Sequence, residues 1–415
     1  MGLFWAYTLV ASFYTVPWLR VPYFGENWFH FIIMIMINQP TLQVQDILRP
    51  THVEVNLARL TENYQAIQQR VAAAAIMPIL KANAYGHGLV EVALHLQKLA
   101  VPYLGVAFLE EGIMLRQAGI QTPILVMGGI IGNQVPLFLQ YALTLTASSV
   151  EKLTQIEQMS AQMGVRARVH LKIDTGMERI GVHYYSAGEL LHAVAASSHC
   201  EVEGIYSHFA NSDSLDLSSA RVQLARFMAV LKQGEAVGLR PRFRHIANSG
   251  AIIQLPESHL DMVRPGLLFY GVYPDEALLH TVPVRPALTW KSRVVYFKVV
   301  QPGHPVSYGS TWQTDHAVRL VTVPVGYGDG YFRAMSGQAE VLIRGRKYPV
   351  VGRICMDQLM VNIEMETAYN GDEVILLGET EGQVISCNDL AGWAGTIPYE
   401  ILTNINTRVP RIYVA

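Results

Sequence analysis

From Thr51 to Gly271 the chain alternates short apolar runs with segments whose apolar residues recur every three or four positions. The runs are "IMPIL" (76–80), "YLGVAF" (103–108), "PILVM" (123–127), "ALTLT" (142–146), "RVHLKID" (168–174), "EGIYSHF" (203–209), "RHIAN" (244–248) and "MVRPGLLFYG" (262–271). They are continuously apolar rather than alternating, which predicts parallel strands covered on both faces. Between them, Leu89, Val92, Ala93, Leu96 and Ala100 mark one face of a helix. Residues 149–164 open on a serine cap and close on a glycine, the punctuation of another. Eight strands, each followed by a helix or turn, predict an α/β fold: an eight-stranded β/α (TIM-like) barrel over residues 47–285. A doubly wound open sheet is the alternative that the pattern alone leaves.

After Pro286 the texture changes. "LTWKSRVVYFKVV", "AVRLVTVPVGYG", "AEVLIRGRKYPVVGRICMDQLMVNI" and "DEVILLG" are β-rich runs split by Pro-Gly, Gly-Asp and Arg-Gly turns. They predict a mostly β C-terminal domain over residues 286–415. Residues 1–46 stand apart: "MGLFWAYTLVASFYTVPWL" has no charged side chain, and "NWFHFIIMIMI" adds a second apolar block. A spanning helix needs roughly 20 apolar residues, and Pro17 interrupts the first block. Neither a basic leader nor a clear cleavage site is present. The segment reads as a translation start placed too far upstream, a weak membrane anchor or a cleaved leader.

With 415 residues at 51% hydrophobic composition, the chain can bury a large core. A net charge of −2 without a basic block argues against a nucleic-acid partner. Cys200, Cys355 and Cys387 are odd in number and widely spaced. They offer neither a disulfide framework nor metal-binding spacing, which fits a reducing compartment.

In a barrel, the residues just after each strand gather at one mouth. Here they include Lys81, Met127, Arg179, His208, Asn248, Ser249, Arg264 and Gly266, a set too polar to serve packing alone. A partly desolvated lysine at a strand end suits a Schiff base, either with a substrate carbonyl or with pyridoxal 5'-phosphate. It also suits an ordinary lysine snorkelling at the rim. Pyridoxal 5'-phosphate needs a phosphate cradle, which "ANSGA" (247–251), "RPG" (264–266) and the Tyr85 hydroxyl can supply. Arg264 opposite the pyridine nitrogen is a permanent cation that leaves the nitrogen unprotonated, and His208 can stack on the ring. Taken singly, these residues read equally well as a helix cap, an exposed tyrosine, a surface arginine and a core histidine.

"PILKANAYGHG" resembles the pyridoxal-lysine segment of the alanine racemases. "LKIDTGMERIGV", "YSHFA", "HIANSGA", "MVRPGLLFYG", "VSYGSTW", "VGYGDGYFR", "VGRICMDQLM" and "GTIPYEI" follow in that family's order, from about residue 50 to 415. The resemblance implies a β/α barrel plus β domain that binds pyridoxal 5'-phosphate and interconverts L- and D-alanine for peptidoglycan. Lys81 would hold the cofactor and act as one base, and Tyr308 would be the base on the opposite face. Arg179 and the backbone N–H of Met356 would take the substrate carboxylate. Tyr85, Met127, His208, Ser249, Arg264, Gly266, Leu267 and Tyr399 would line the cofactor. Lys172 resembles a lysine that many members carry carbamylated, and Tyr327, Arg333, Arg353 and Ile397 resemble residues guarding a narrow entrance. Asp357 is expected to pair with one of the arginines.

The resemblance also implies a head-to-tail homodimer in which one subunit's tyrosine completes the other's site. Two departures stand out: Glu178 where glycine is frequent, and Asn404 where a basic residue is common. Rival readings are a serine or broad-specificity racemase of the same fold, a non-catalytic pyridoxal carrier, and a decarboxylase. The carrier leaves "VSYGS" and "ICMDQ" unexplained, and Arg264 disfavours the decarboxylase, which wants an acidic partner for the ring nitrogen.

Overall fold

The computed structural model describes residues 48–415, so the reading of residues 1–46 lies outside the described residues. Eight parallel strands close into a barrel: Ala75–Ile76, Leu104–Val106, Ile124–Val126, Leu145–Ala147, Ala167–Asp174, Cys200–Tyr206, Phe243–His245 and Met262–Val263. Bridges at Ile79–Gly105 and Leu125–Thr144 link neighbours whose ladders are short. The last strand pairs with the first, and Arg264 N donates to Ala247 O (2.9 Å) to join it to the seventh. Among the described residues, no helix is long and apolar enough to cross a membrane.

Local chemistry shortens several expected strands. Pro78 has no N–H to give, so the run 76–80 breaks into Ala75–Ile76 and a single bridge at Ile79. The run 262–271 is strand only at Met262–Val263 and then turns into the 3-10 segment Leu267–Tyr270 after Pro265. The helix Leu89–Lys98 buries Leu89, Val92, Ala93 and Leu96 as expected, but Ala100 lies beyond its end, exposed and at φ +54°. In the helix Val150–Met163, Ser149 Oγ accepts from Lys152 N (3.1 Å) and Gly164 takes the left-handed turn.

The C-terminal part is built on a ten-stranded, largely antiparallel sheet. Although the sequence reading places everything from residue 47 with the barrel, His52–Asn56 belongs to this sheet, antiparallel to Leu288–Arg293 and parallel to Arg411–Val414. The two parts share one continuous apolar core that includes Phe269, Tyr270, Trp290 and Tyr331, all fully buried.

Asn63 pins the junction between them. Its buried amide donates to Phe269 O (3.1 Å) and Arg285 O (2.9 Å) and accepts from Arg285 N (2.8 Å). Asn63→Ala strands three backbone partners, so we expect a stability loss of about 2–4 kcal/mol, read as a lowered urea midpoint with unchanged slope.

Candidate active site

Lys81 ends the first barrel strand, and the chain then does something its sequence does not announce. Ala82, Asn83, Ala84 and Tyr85 all sit at φ between +51° and +56°, followed by Gly86 at +80°. Each non-glycine residue in that region costs about 1–2 kcal/mol, so such a turn persists only if held from outside. Glu111 Oε1 accepts from Ala82 N (2.7 Å), and Asn83 Oδ1 accepts from Leu89 N (2.8 Å). From the C-terminal strand, Arg411 Nε donates to Gly86 O (2.9 Å) and the Tyr413 hydroxyl to His87 O (3.1 Å). A Cβ on Gly86 would lie 2.2 Å from Leu402 O, so only glycine admits this docking. The β domain therefore helps to aim the barrel's lysine.

That lysine faces a cavity of about 520 Å³ lined also by Tyr85, Met127, Arg179, His208, Ser249, Arg264, Gly266, Ile397 and Tyr399. Burial, and then the charge of Arg179, lower the Lys81 pKa, while Glu111 opposes the shift. The amine is thereby made more available as a nucleophile near neutrality.

One end of the cavity gathers hydroxyls. Ser249 Oγ accepts from the N–H groups of Gly266 (3.0 Å) and Leu268 (3.3 Å), and a Cβ on Gly266 would strike the Tyr85 hydroxyl at 2.5 Å. Burial raises the Tyr85 pKa and pushes that of Tyr399 up to about 12, so both remain donors. Leu267 is fully buried in the core and can offer the site only its backbone.

Arg264 lines the same cavity. Its guanidinium donates to Ser207 O (2.7 Å), Ile246 O (3.1 Å), His208 Nδ1 (3.1 Å) and His245 Nδ1 (2.9 Å). Burial lowers its pKa to about 10, which still leaves it charged at neutral pH. Burial and the nearby cations hold His208 neutral, well below the usual histidine range.

Lys172 is fully enclosed, with its Nζ 4.8 Å from the centre of the Tyr206 ring. Burial, with Arg264 and Arg179 nearby, drives its pKa well below the lysine range, and Asp174 only partly opposes this. It lines a second cavity with Lys81, Arg179, His208 and Arg264. Gly181 makes the enclosure possible, because a Cβ there would meet Lys172 O at 2.7 Å. Asp174 organises the loop that carries Arg179 by accepting from the N–H groups of Gly176, Met177 and Arg179. Glu178, the departure from the family pattern, adopts φ +54°, the backbone region that favours glycine. Its carboxylate pairs with His183 (2.8 Å).

The remaining expected residues sit on the β domain. Tyr308 is 71% exposed on the turn Tyr308–Ser310, beside a groove formed with Ser307, Cys355 and Gln358. It does not line the Lys81 cavity of its own chain, and neither do Met356, Tyr327, Arg333 or Arg353. The turn is anchored where Ser307 Oγ donates to Arg353 O (2.6 Å). Tyr327 N and Gly328 N donate to Cys355 O (3.0 Å) and Met356 O (2.9 Å), tying two of the expected segments together. Asp357 pairs with Arg408 (2.8 Å), which also grips the buried Asp329. Sequence reasoning did not single out Glu111, His245, Asp329 or Arg408. Glu111 adjoins a second glutamate in "LEEG", and His245 lies inside an apolar run, so no local pattern separates them from ordinary residues.

Comparison with known proteins agrees with this architecture. The profile described as "Alanine racemase, N-terminal domain" matches residues 55–274, and "Alanine racemase, C-terminal domain" matches residues 287–413. The alanine racemase of Carboxydothermus hydrogenoformans is 45% identical over 369 residues, covering 88% of this chain and 100% of that one. The crystal structure of alanine racemase from D-cycloserine-producing Streptomyces lavendulae superposes with a TM-score of 0.86 at 37% identity, covering 89% of this chain and 98% of that one. That of Bacillus anthracis with bound L-Ala-P gives 0.83 at 33% identity, covering 89% and 96%. With both halves matched in order and relatives matched along nearly their whole length, the chain belongs to the alanine racemase family.

Proposed function

We infer that the protein interconverts L- and D-alanine with pyridoxal 5'-phosphate, using Lys81 and Tyr308 on opposite faces of the substrate's α-carbon. The observation that carries this reading is the cavity itself. An amine of lowered pKa lines one cavity together with a cluster of hydroxyls and an arginine that can only donate. The residues fit the cofactor: Tyr85, Ser249, Tyr399 and the Gly266–Leu267 backbone would hold its phosphate. Lys81 would bind its aldehyde, Arg264 would donate to its ring nitrogen, and His208 and Met127 would flank it. When bound, the cofactor delocalises the charge left on the α-carbon as the proton departs. Arg179 would take the substrate carboxylate, and the Met356 N–H, which lies outside the cavity of its own chain, would join it from a second copy.

Racemisation requires proton removal on one face and delivery on the other. Lys81 serves one face. Because Tyr308 lies outside the cavity of its own chain, the second face needs another copy, in a head-to-tail homodimer. Exposed Tyr296 and Val299, which line the same groove as Tyr308, support an interface there. Tyr327, Arg333, Arg353 and Ile397 would then narrow the entrance. A cytoplasmic supply of D-alanine for peptidoglycan is the role that follows.

The neutral amine of Lys172 is the form that attacks carbon dioxide. The N–C bond forms, a proton leaves, and the resulting carbamate is an anion beside Arg179 and Arg264. We expect 13C NMR of the folded enzyme equilibrated with 13C-labelled bicarbonate to show a carbamate carbon that is absent from Lys172→Ala, and bicarbonate-free dialysis to weaken alanine turnover. An unmodified Lys172 in a fully active enzyme would refute the assignment. Turnover ratios test the substrate: alanine is expected to exceed serine, arginine and lysine, and the opposite order would overturn the reading.

A further inference from the structure

Behind Arg264 a line of buried polar side chains crosses the barrel interior, and the cofactor site does not account for it. Arg264 Nη1 faces His245 Nδ1 at 2.9 Å, and His245 Nε2 faces His170 Nδ1 at 2.9 Å. His170 Nε2 lies 3.9 Å from Glu203 Oε2 and has no closer partner among the described residues. The Tyr103 hydroxyl donates to that carboxylate oxygen (2.7 Å) and lies 2.5 Å from Thr144 Oγ1. The fold makes room for this line: a Cβ on Gly204 would sit 2.4 Å from His170 Nδ1, and the ladder between the fifth and sixth barrel strands shifts register there. The His245 ring also stacks on Tyr206 at 4.9 Å.

We propose that His170 and Glu203 are positioning residues for Arg264, joined to it by a one-way chain of N–H donors that keeps a bare imidazole nitrogen facing the guanidinium. A guanidinium has donors only, so His245 Nδ1 must be bare and its proton must reside on Nε2. That N–H can point only at a bare His170 Nδ1, which places the second proton on His170 Nε2, toward Glu203. The reverse order would set N–H against N–H at Arg264. Burial together with Arg264 holds both imidazoles neutral, so neither gains a proton that would break the order. Arg264 sets the direction, and Glu203 is the acceptor that the far end of the chain faces at 3.9 Å. The proposal rests on the reading of Arg264 as the group opposite the cofactor's ring nitrogen, because an arginine held in this way presents its remaining donors in one orientation.

The test is magic-angle-spinning 15N spectroscopy of the ring-labelled holoenzyme, assigned by difference against His170→Asn and His245→Asn. Both rings are expected as the neutral Nε2–H form at pH 7. Either ring as Nδ1–H, or doubly protonated, overturns the proposal. A second arm measures the dissociation constant for pyridoxal 5'-phosphate. Glu203→Gln, which keeps an acceptor, is expected to stay near wild type, and Glu203→Leu to weaken binding by about five-fold, because the buried His170 Nε2–H then has no acceptor to face. Equal constants in all three proteins would also overturn it. The ring spectra involve no turnover, so a chain that failed to racemise alanine would still give a decisive tautomer result. If Glu203→Leu fails to fold, the wild-type spectrum decides alone.

Discussion

Replacing Lys81 with alanine is expected to abolish the visible absorbance of bound pyridoxal and to remove the site of borohydride reduction. Turnover of alanine should fall by about 10⁴-fold or more. Two functions are lost together, covalent retention of the cofactor and proton transfer on one face. No second lysine can substitute, because Lys172, the other one lining the adjoining cavity, is enclosed against the Tyr206 ring. The barrel should remain folded, since Lys81 makes no hydrogen bond that closes a strand and its turn is held by Glu111, Arg411 and Tyr413. A variant that kept its spectrum, or its turnover within ten-fold, would show that the amine is not the attachment point.

Tyr308→Phe is expected to separate chemistry from binding. Tyr308 is 71% exposed and outside the cofactor cavity of its own chain, so removing its hydroxyl should leave cofactor affinity and spectrum unchanged. Turnover should fall by about 10²–10⁴-fold, the usual contribution of a positioned acid or base. The loss should be directional: α-proton exchange from L-alanine should suffer most, while exchange from D-alanine, served by Lys81, should persist. Equal losses from both enantiomers, with the cofactor fully bound, would assign Tyr308 a structural role.

Much of this was legible in the sequence because barrel strands leave continuous apolar runs and their ends carry the chemistry. The strands Leu104–Val106 and Ile124–Val126 fall inside runs read from the apolar pattern, Ala167–Asp174 begins one residue before its run, and Lys81, His208, Ser249 and Arg264 line one cavity as strand-end residues should. The illegible part is long-range. The left-handed turn after Lys81 runs through Ala82, Asn83, Ala84 and Tyr85, of which only the asparagine has any preference for that conformation. Its cause lies in Glu111, Leu402, Arg411 and Tyr413, distant in sequence. His52–Asn56 looks like the start of the barrel and joins the other sheet because its partners are Leu288–Arg293 and Arg411–Val414. The histidines behind Arg264 sit in strands whose apolar neighbours hide them.

In the shared site, an amine from one subunit and a phenol from another would act on a single carbon. Subunit mixing tests this directly. Lys81→Ala and Tyr308→Phe homodimers, each inactive, are combined in equal amounts and allowed to exchange subunits. About half the dimers should then be mixed, each with one site intact in both bases and one lacking both, which restores about a quarter of wild-type turnover. A mixture that exchanges subunits yet stays as inactive as its parents would contradict the shared site.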